Sequence, residues 1–186
     1  MSSSGHRIAI VGAGSVGATC AYAALIRGVG SHYLLYDIDK PKVEAQAQDL
    51  RHGLQFAPAI RIDGSDDLQI CKDADVVILT AGAKSKPGQT RMELAGVNVE
   101  MCRTLVPNLM NVAPNALYLI VTNPNDVITY AVLKLSGLPA QRVLGTGTVL
   151  DSSRFRHLIA QRLRVGVHSV HAYIAGEHGD SEIPLW

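Results

Sequence analysis

The stretch Ile8-Ala9-Ile10-Val11-Gly12-Ala13-Gly14-Ser15-Val16-Gly17 constrains this chain more than any other. Its opening apolar residues leave no polar face for water and describe a strand buried on both sides, as in a parallel sheet. The run passes directly into Gly-x-Gly-x-x-Gly. In that pattern Gly12 lets the chain turn tightly, Gly14 lets backbone approach a pyrophosphate, and Gly17 lets the next helix lie close to the sheet. A helix start also offers phosphate its unpaired N–H groups and the positive end of its dipole. Glycine-rich turns are common, so the motif counts only in context. Here a helical run, Ala18 to Arg27, follows it, and a second strand, His32 to Tyr36, ends on Asp37. Asp37 lies about twenty residues past Gly17, where a carboxylate accepts hydrogen bonds from the adenosine ribose hydroxyls of a dinucleotide. An acidic residue there favours NAD over NADP, whose 2′-phosphate it would repel.

The rest of the chain continues the alternation. Lys40-Pro41 opens a helix reaching about Arg51, with proline near its first turn. Ile60 to Ile62 reads as a short strand and Asp75 to Thr80 as a buried one. Residues 81–90 form a polar loop carrying glycine and proline. A helix is expected from Arg91 to Val112, with Pro107 kinking or breaking it. Ala116 to Val121 is a strand leading to Thr122-Asn123-Pro124-Asn125-Asp126. A helix from Val127 to Leu135 follows, with Gly137 suited to its C-terminal cap, and Arg142 to Gly145 is a last short strand. Strands and helices alternating over residues 7–146 predict an α/β fold of Rossmann type, a doubly wound parallel sheet. Ligands of such sheets sit beyond the strand C-termini, where the polar loops fall. Residues 147–186 read as a helix, Leu150 to Leu163, an apolar strand, Ser169 to Ala175, and the loop Gly176-Glu177-His178-Gly179-Asp180. Forty residues cannot bury a core alone. The expected division is therefore an NAD-binding domain over 1–146 and the beginning of a second, substrate-binding domain over 147–186.

Composition excludes several function classes. A net charge of +1 gives no electrostatic case for nucleic acid or a membrane surface. No stretch suits a signal peptide or a membrane span. Cys20, Cys71 and Cys102 have no metal-ligand spacing and read as small core residues in a reducing cytosol, so no metal and a cytoplasmic location are expected.

Beside the cofactor motif, four residues suggest hydride transfer to a 2-oxo acid. Asp151 and Arg154 lie three apart and share a helix face. Arg154 suits bidentate binding of a carboxylate. Asp151 suits holding one nitrogen of a histidine and stabilising its imidazolium form. His178, between glycines, is the obvious partner and a proton donor for a carbonyl oxygen. Arg91, just after the polar loop, suits polarising that carbonyl when the loop closes and expels water. Asn123, at a strand end, suits hydrogen bonding to the substrate or the nicotinamide side.

These residues sit in stretches that resemble the lactate/malate dehydrogenase family: Gly12-Ala-Gly-Ser-Val-Gly17, Thr80-Ala-Gly-Ala83, Lys86-Pro-Gly-Gln-Thr-Arg91, Val121-Thr-Asn-Pro-Asn-Asp126, Gly145-Thr-Gly-Thr-Val-Leu-Asp-Ser-Ser-Arg-Phe-Arg156 and Ala175-Gly-Glu-His-Gly-Asp-Ser181. The resemblance covers essentially the whole chain. It implies proton transfer by His178, oriented by Asp151, with Arg91 on the carbonyl and Arg154 on the carboxylate. It places NAD along Gly12, Gly14, Ser15, Val16, Gly17, Asp37, Thr80, Ala81, Gly82, Ala83, Val121, Asn123 and Thr146. Glu177 and Gly145-Thr-Gly147 resemble the lactate rather than the malate members, which implies pyruvate and L-lactate as substrates. The family's specificity position aligns with Ser85, where lactate members usually carry glutamine and malate members arginine. Serine has no charge to pair with a second carboxylate, which argues against malate, and it leaves room for substrates bulkier than pyruvate. The resemblance further implies a homo-oligomer, a tetramer in this family. It also implies an allosteric site for fructose 1,6-bisphosphate at Arg156 and His171, formed with their copies across a twofold axis. The family's chains run to about twice a domain length, so a C-terminally truncated chain is expected, and an inactive NAD-binding fragment is the competing reading from another class.

Overall fold

The computed structural model describes residues 5–84, 87–88 and 90–186. Its main sheet has six parallel strands: β1 (Arg7–Val11), β2 (His32–Tyr36), β3 (Arg61–Ser65), β4 (Val76–Leu79), β5 (Leu117–Ile120) and β6 (Val143–Gly145), in the order β3-β2-β1-β4-β5-β6. The chain winds outward from β1 through β2 to β3, then returns to place β4 on the other side of β1. Ile8 pairs with both Tyr33 and Val76. That reversal between β1 and β4 opens the crevice where such sheets bind ligands. The expected α/β doubly wound sheet is the observed one.

Side chains alternate across the pleat and feed two cores. Ile8 and Ile10 pack with Ala21 and Leu25 of α1 (Ser15–Arg27) and with Val43, Ala47 and Leu50 of α2 (Lys40–His52). Ala9 and Val11 face Cys102, Val106 and Leu109 of α3 (Arg91–Val112) and Ile128 and Val132 of α4 (Asn125–Ser136). Each fully buried Leu, Ile or Val stabilises the fold by about 1.5–3 kcal/mol relative to leaving it exposed. Cys71 and Cys102 are buried in the second core, as small apolar residues are, and burial pushes their thiols up to about 12 and about 11.

Local signals set the helix ends. Asp39 caps α2 by accepting from Lys42 N at 3.2 Å. Thr90 and Glu93 form a reciprocal capping box that starts α3. Gly137 ends α4 with φ +66°, a conformation glycine adopts without a Cβ penalty. α3 differs from expectation, since it runs through Pro107 unbroken. Proline removes one N–H from the ladder, but Pro107 and Arg103, whose carbonyl loses its partner, both lie on the exposed side, where water replaces the bond.

Beyond the sheet, α5 (Val149–Leu163) packs on a small antiparallel pair, β7 (Tyr173–Ala175) and β8 (Ile183–Leu185). The predicted strand 169–175 is therefore shorter. Its partner offers only three residues, and Val167–Ser169 forms a 3₁₀ turn instead. β8 had no counterpart in the sequence reading. Among the described residues no helix is long and apolar enough to cross a membrane.

Candidate active site

The glycine turn lies against the end of β4. Gly12 has φ +105°, and a Cβ there would stand 2.5 Å from Ala81 N. Thr80 Oγ1 donates to Gly12 O at 2.8 Å, fixing the turn to the neighbouring strand. A Cβ on Gly14 would meet nothing within 4 Å, so that backbone is open to a ligand. Gly14 caps α1 without a side-chain hydrogen bond, leaving first-turn N–H groups to a phosphate. A cleft of about 800 Å³ extends from Gly12 and Gly14 past Asp37 and Lys42 to Thr80, Ala81, Gly82 and Ala83. Its size and donor set fit a dinucleotide. Ser15 and Val16 lie exposed in the first turn of α1. Val121 and Thr146 continue the same strand ends, through Val121 N to Leu79 O and Thr146 N to Ile120 O.

Asp37 is buried to 9% exposure at the C-terminal end of β2. It accepts from Ala13 N and Lys42 Nζ, each at 2.8 Å, and from Asp39 N at 3.1 Å. Burial pushes its carboxyl up, but these hydrogen bonds outweigh that effect and hold it below the usual carboxylate range. A carboxylate offers about four acceptor positions, so one remains for a ribose hydroxyl.

The second cluster forms where α5 meets the loop between β7 and β8. Asp151, 8% exposed in the first turn of α5, accepts from His178 Nδ1 at 2.5 Å and from Arg154 Nη1 at 3.1 Å. Burial raises its carboxyl, while the bonds from His178 and Arg154 outweigh this and leave it lowered. An ionised carboxylate only accepts, so Nδ1 carries the hydrogen and Nε2 is left for chemistry. Arg91, at the start of α3, reaches the same loop, with Nη2 3.6 Å from Asp180 Oδ1. Of the four residues expected to act together, Asp151 thus contacts both His178 and Arg154, and Arg91 reaches the loop that carries His178.

Other expectations fare differently. Asn123 sits before a cis Pro124 with an exposed side chain, and its carbonyl accepts from Asn98 Nδ2 at 2.7 Å. Ser85 lies outside the described residues. Arg156 folds back onto the chain: Nε donates to Ala172 O at 2.7 Å and the guanidinium lies 4.4 Å from the centre of the Tyr173 ring. His171 is exposed on the irregular segment before β7, not on a strand, because pairing begins only at Tyr173.

The sequence reading missed Lys42, Asn98, Asn125 and Asp126. Asn98 carried a signal, since it interrupts the buried stripe Ala95, Cys102, Val106 and Leu109 of α3. At 1% exposure it bridges Ala83 N and Asn123 O. Asn125 and Asp126 stood beside Asn123 in the same motif.

Comparisons with known proteins agree along the chain. Residues 6–145 match the family model described as lactate/malate dehydrogenase, NAD binding domain. Residues 148–186 match the model for the lactate/malate dehydrogenase alpha/beta C-terminal domain. An L-lactate dehydrogenase of Bifidobacterium animalis subsp. lactis is 55% identical over 97% of this chain and 56% of its own length. One from a Synechococcus strain is 53% identical over 95% and 58%. The crystal structure of the minor L-lactate dehydrogenase from Enterococcus mundtii in the ligands-bound form superposes with TM-score 0.92 at 43% identity, covering 97% of this chain and 58% of that one. The chain therefore spans a little over half the length of the relatives it matches.

Proposed function

The chain belongs to the lactate/malate dehydrogenase family, and from that premise we propose that it serves NAD-dependent interconversion of pyruvate and L-lactate. The observation that carries this reading is the contact of Asp151 with both His178 and Arg154, on the element next after the dinucleotide sheet. Residues 1–146 hold the cofactor and 147–186 begin the unit that holds the substrate. NAD, when bound, supplies the hydride acceptor or, reduced, the hydride donor. Gly12 to Gly17, with Ser15 and Val16, hold its phosphates; Asp37 takes the adenosine ribose; Thr80 to Ala83, Val121, Asn123 and Thr146 line the rest. Arg154 holds the substrate carboxylate by two parallel hydrogen bonds. Arg91 stabilises the charge that develops on the carbonyl oxygen. His178 gives its Nε2 proton to that oxygen during reduction and takes it back during oxidation, while Asp151 keeps the ring oriented and favours the imidazolium. The test is oxidation of NADH with a panel of 2-oxo acids by the enzyme at the relatives' length, followed by absorbance. Preference for pyruvate supports the reading. Preference for a bulkier 2-oxo acid would move the reading to dehydrogenases of larger 2-hydroxy acids, and preference for oxaloacetate or no turnover with any acid would refute it.

Asp37 makes a separate expectation. Asp37→Ala is expected to narrow the preference for NAD over NADP, because the repelled 2′-phosphate loses its opponent. Titration of both dinucleotides onto wild type and variant by intrinsic fluorescence checks it, and equal or tighter NADP binding by the wild type would refute it.

The family reading extends to assembly and regulation. We propose a cytoplasmic homo-oligomer, a tetramer in this family, activated by fructose 1,6-bisphosphate. Arg156 and His171 with their twofold copies would form the phosphate clamp. Arg156 lies against the segment joining His171 to β7, so an anion there has a short path to the His178 loop. Such couplings are typically about 1–3 kcal/mol, so the pyruvate half-saturation is expected to fall by about 5- to 150-fold with the bisphosphate. An unchanged half-saturation across pH 6 to 8, or activation surviving in an Arg156→Ala/His171→Ala double variant, would remove the proposal.

A further inference from the structure

The turn after β5 and the first turn of α4 together reach four parts of the site. Thr122 Oγ1 donates to Ala81 O at 2.7 Å, and Asn123 O accepts from Asn98 Nδ2 at 2.7 Å. Asn125 Oδ1 accepts from Gly147 N at 2.8 Å. Asp126 Oδ2 accepts from the main-chain N–H of His178 at 2.8 Å, across 52 positions of sequence. The first and third bonds tie strand ends and adjoining turns together, and the second ties the turn to α3. The fourth joins α4 to the loop that carries the imidazole.

Side chains brace that loop, with Ser181 Oγ donating to Glu177 Oε2 at 2.9 Å, Glu182 Oε1 3.7 Å from His178 Nδ1 and Arg91 reaching Asp180, but none of these contacts holds the His178 main chain. Gly176, at φ +95°, and Gly179 flank the histidine, and glycine backbone is the least restricted. Asp151 holds the ring at Nδ1 from α5 but does not hold the main chain. A ring tethered at Nδ1 alone can pivot as the loop shifts, which carries Nε2 with it. Asp126 supplies a second point of attachment from a different helix. A carboxylate makes this a charge-assisted bond, shorter and stronger than a neutral one. Its place in the first turn of α4 suits a negative charge, because the positive end of the helix dipole lies there.

We infer that Asp126 is a positioning residue for proton transfer: by holding the His178 N–H it fixes where Nε2 stands relative to the substrate. The inference rests on reading His178 as the proton donor. Asp126 itself touches no reacting atom. A displacement of about 1 Å in such a group costs up to about 10²-fold in rate, so the loss should appear in kcat and not in cofactor binding.

The test compares Asp126→Ala, which removes the acceptor, with Asp126→Asn, which keeps one. Two readouts are taken: the hydrogen-exchange rate of the His178 amide by NMR, and kcat with KM for NADH and pyruvate. Asp126→Ala is expected to speed exchange at least tenfold and lower kcat by about 10- to 100-fold, with KM for NADH within twofold of wild type. Asp126→Asn is expected to restore most of both. Should Asp126→Ala not fold, Asp126→Glu replaces it, since the longer side chain displaces the acceptor, and the same direction of change is expected. Wild-type kcat in the acceptor-free or displaced variant overturns the inference, as does an Asp126→Asn variant no better than Asp126→Ala. The amide readout does not depend on the substrate. If exchange responds as stated but wild type reduces no 2-oxo acid, the functional reading fails and the anchor stands; if wild type reduces pyruvate and exchange does not respond, the anchor fails alone.

Discussion

Replacing His178 with alanine is expected to lower kcat for pyruvate reduction by about 10² to 10⁴-fold, the usual contribution of a positioned general acid. NADH affinity should change little, because the cleft past Gly12, Gly14 and Asp37 is formed without His178. Asp151→Asn is expected to act in the same direction, since an amide keeps the shape at Nδ1 without the charge that stabilises the imidazolium. Arg154→Lys should chiefly raise KM for pyruvate through the lost bidentate contact. Steady-state kinetics on all three, in an enzyme of the relatives' length, separates these effects. A His178→Ala variant within tenfold of wild-type kcat would end the assignment. The pair also bears on stability. Asp151 has a lowered carboxyl in the folded state, so its contribution is present above about pH 4, the unfolded carboxylate value, and is lost as pH falls through the lower folded value.

The second large effect is on folding. A Cβ on Gly17 would stand 1.9 Å from Gly12 O and 2.8 Å from Thr80 Oγ1. Backbone cannot rotate out of the way as a side chain can, so α1 must move off the sheet. Gly17→Ala is expected to destabilise by about 3 kcal/mol, the upper end for overpacking, or roughly 6–12 °C in Tm for a chain of this size. Gly14→Ala is the counterpart. Its Cβ meets nothing and its φ of −74° suits alanine, so Tm should hold within about 2 °C. The added methyl instead points into open space beside the glycine turn, and NAD affinity should fall. Thermal unfolding with NAD titration resolves the pair. A Gly17→Ala variant as stable as wild type, or a Gly14→Ala variant that binds NAD normally, would contradict this account of the turn.

These two glycines illustrate what was legible in the sequence. Spacing alone told their roles apart, because strand, turn and helix are local and period-bound. The six strands and the helices between them were readable for the same reason, with bounds displaced by a few residues where pairing partners set the length, as at β3 and β7. The contact between Asp151 and Arg154 was readable because both share one turn of α5. The anchors were not. Asn98 stands out as a polar break in the apolar stripe of α3, but its partners show only once the fold places Ala83 and Asn123 on either side of it. Asp126 looks like an ordinary first-turn acid until a loop 52 residues away delivers an N–H to it. Their significance lies in pairings between distant segments, which composition and periodicity do not encode. β8 was missed because a three-residue exposed strand has no hydrophobic alternation to detect.

The segment between Ala83 and Thr90 is clamped at both margins, by Asn98 on the Ala83 N–H and by the reciprocal Thr90–Glu93 cap. Neither clamp uses a side chain from within 84–89. Both joints are made by groups outside that segment, so the chain enters and leaves it at two points already fixed to α3, as a cable does between two cleats.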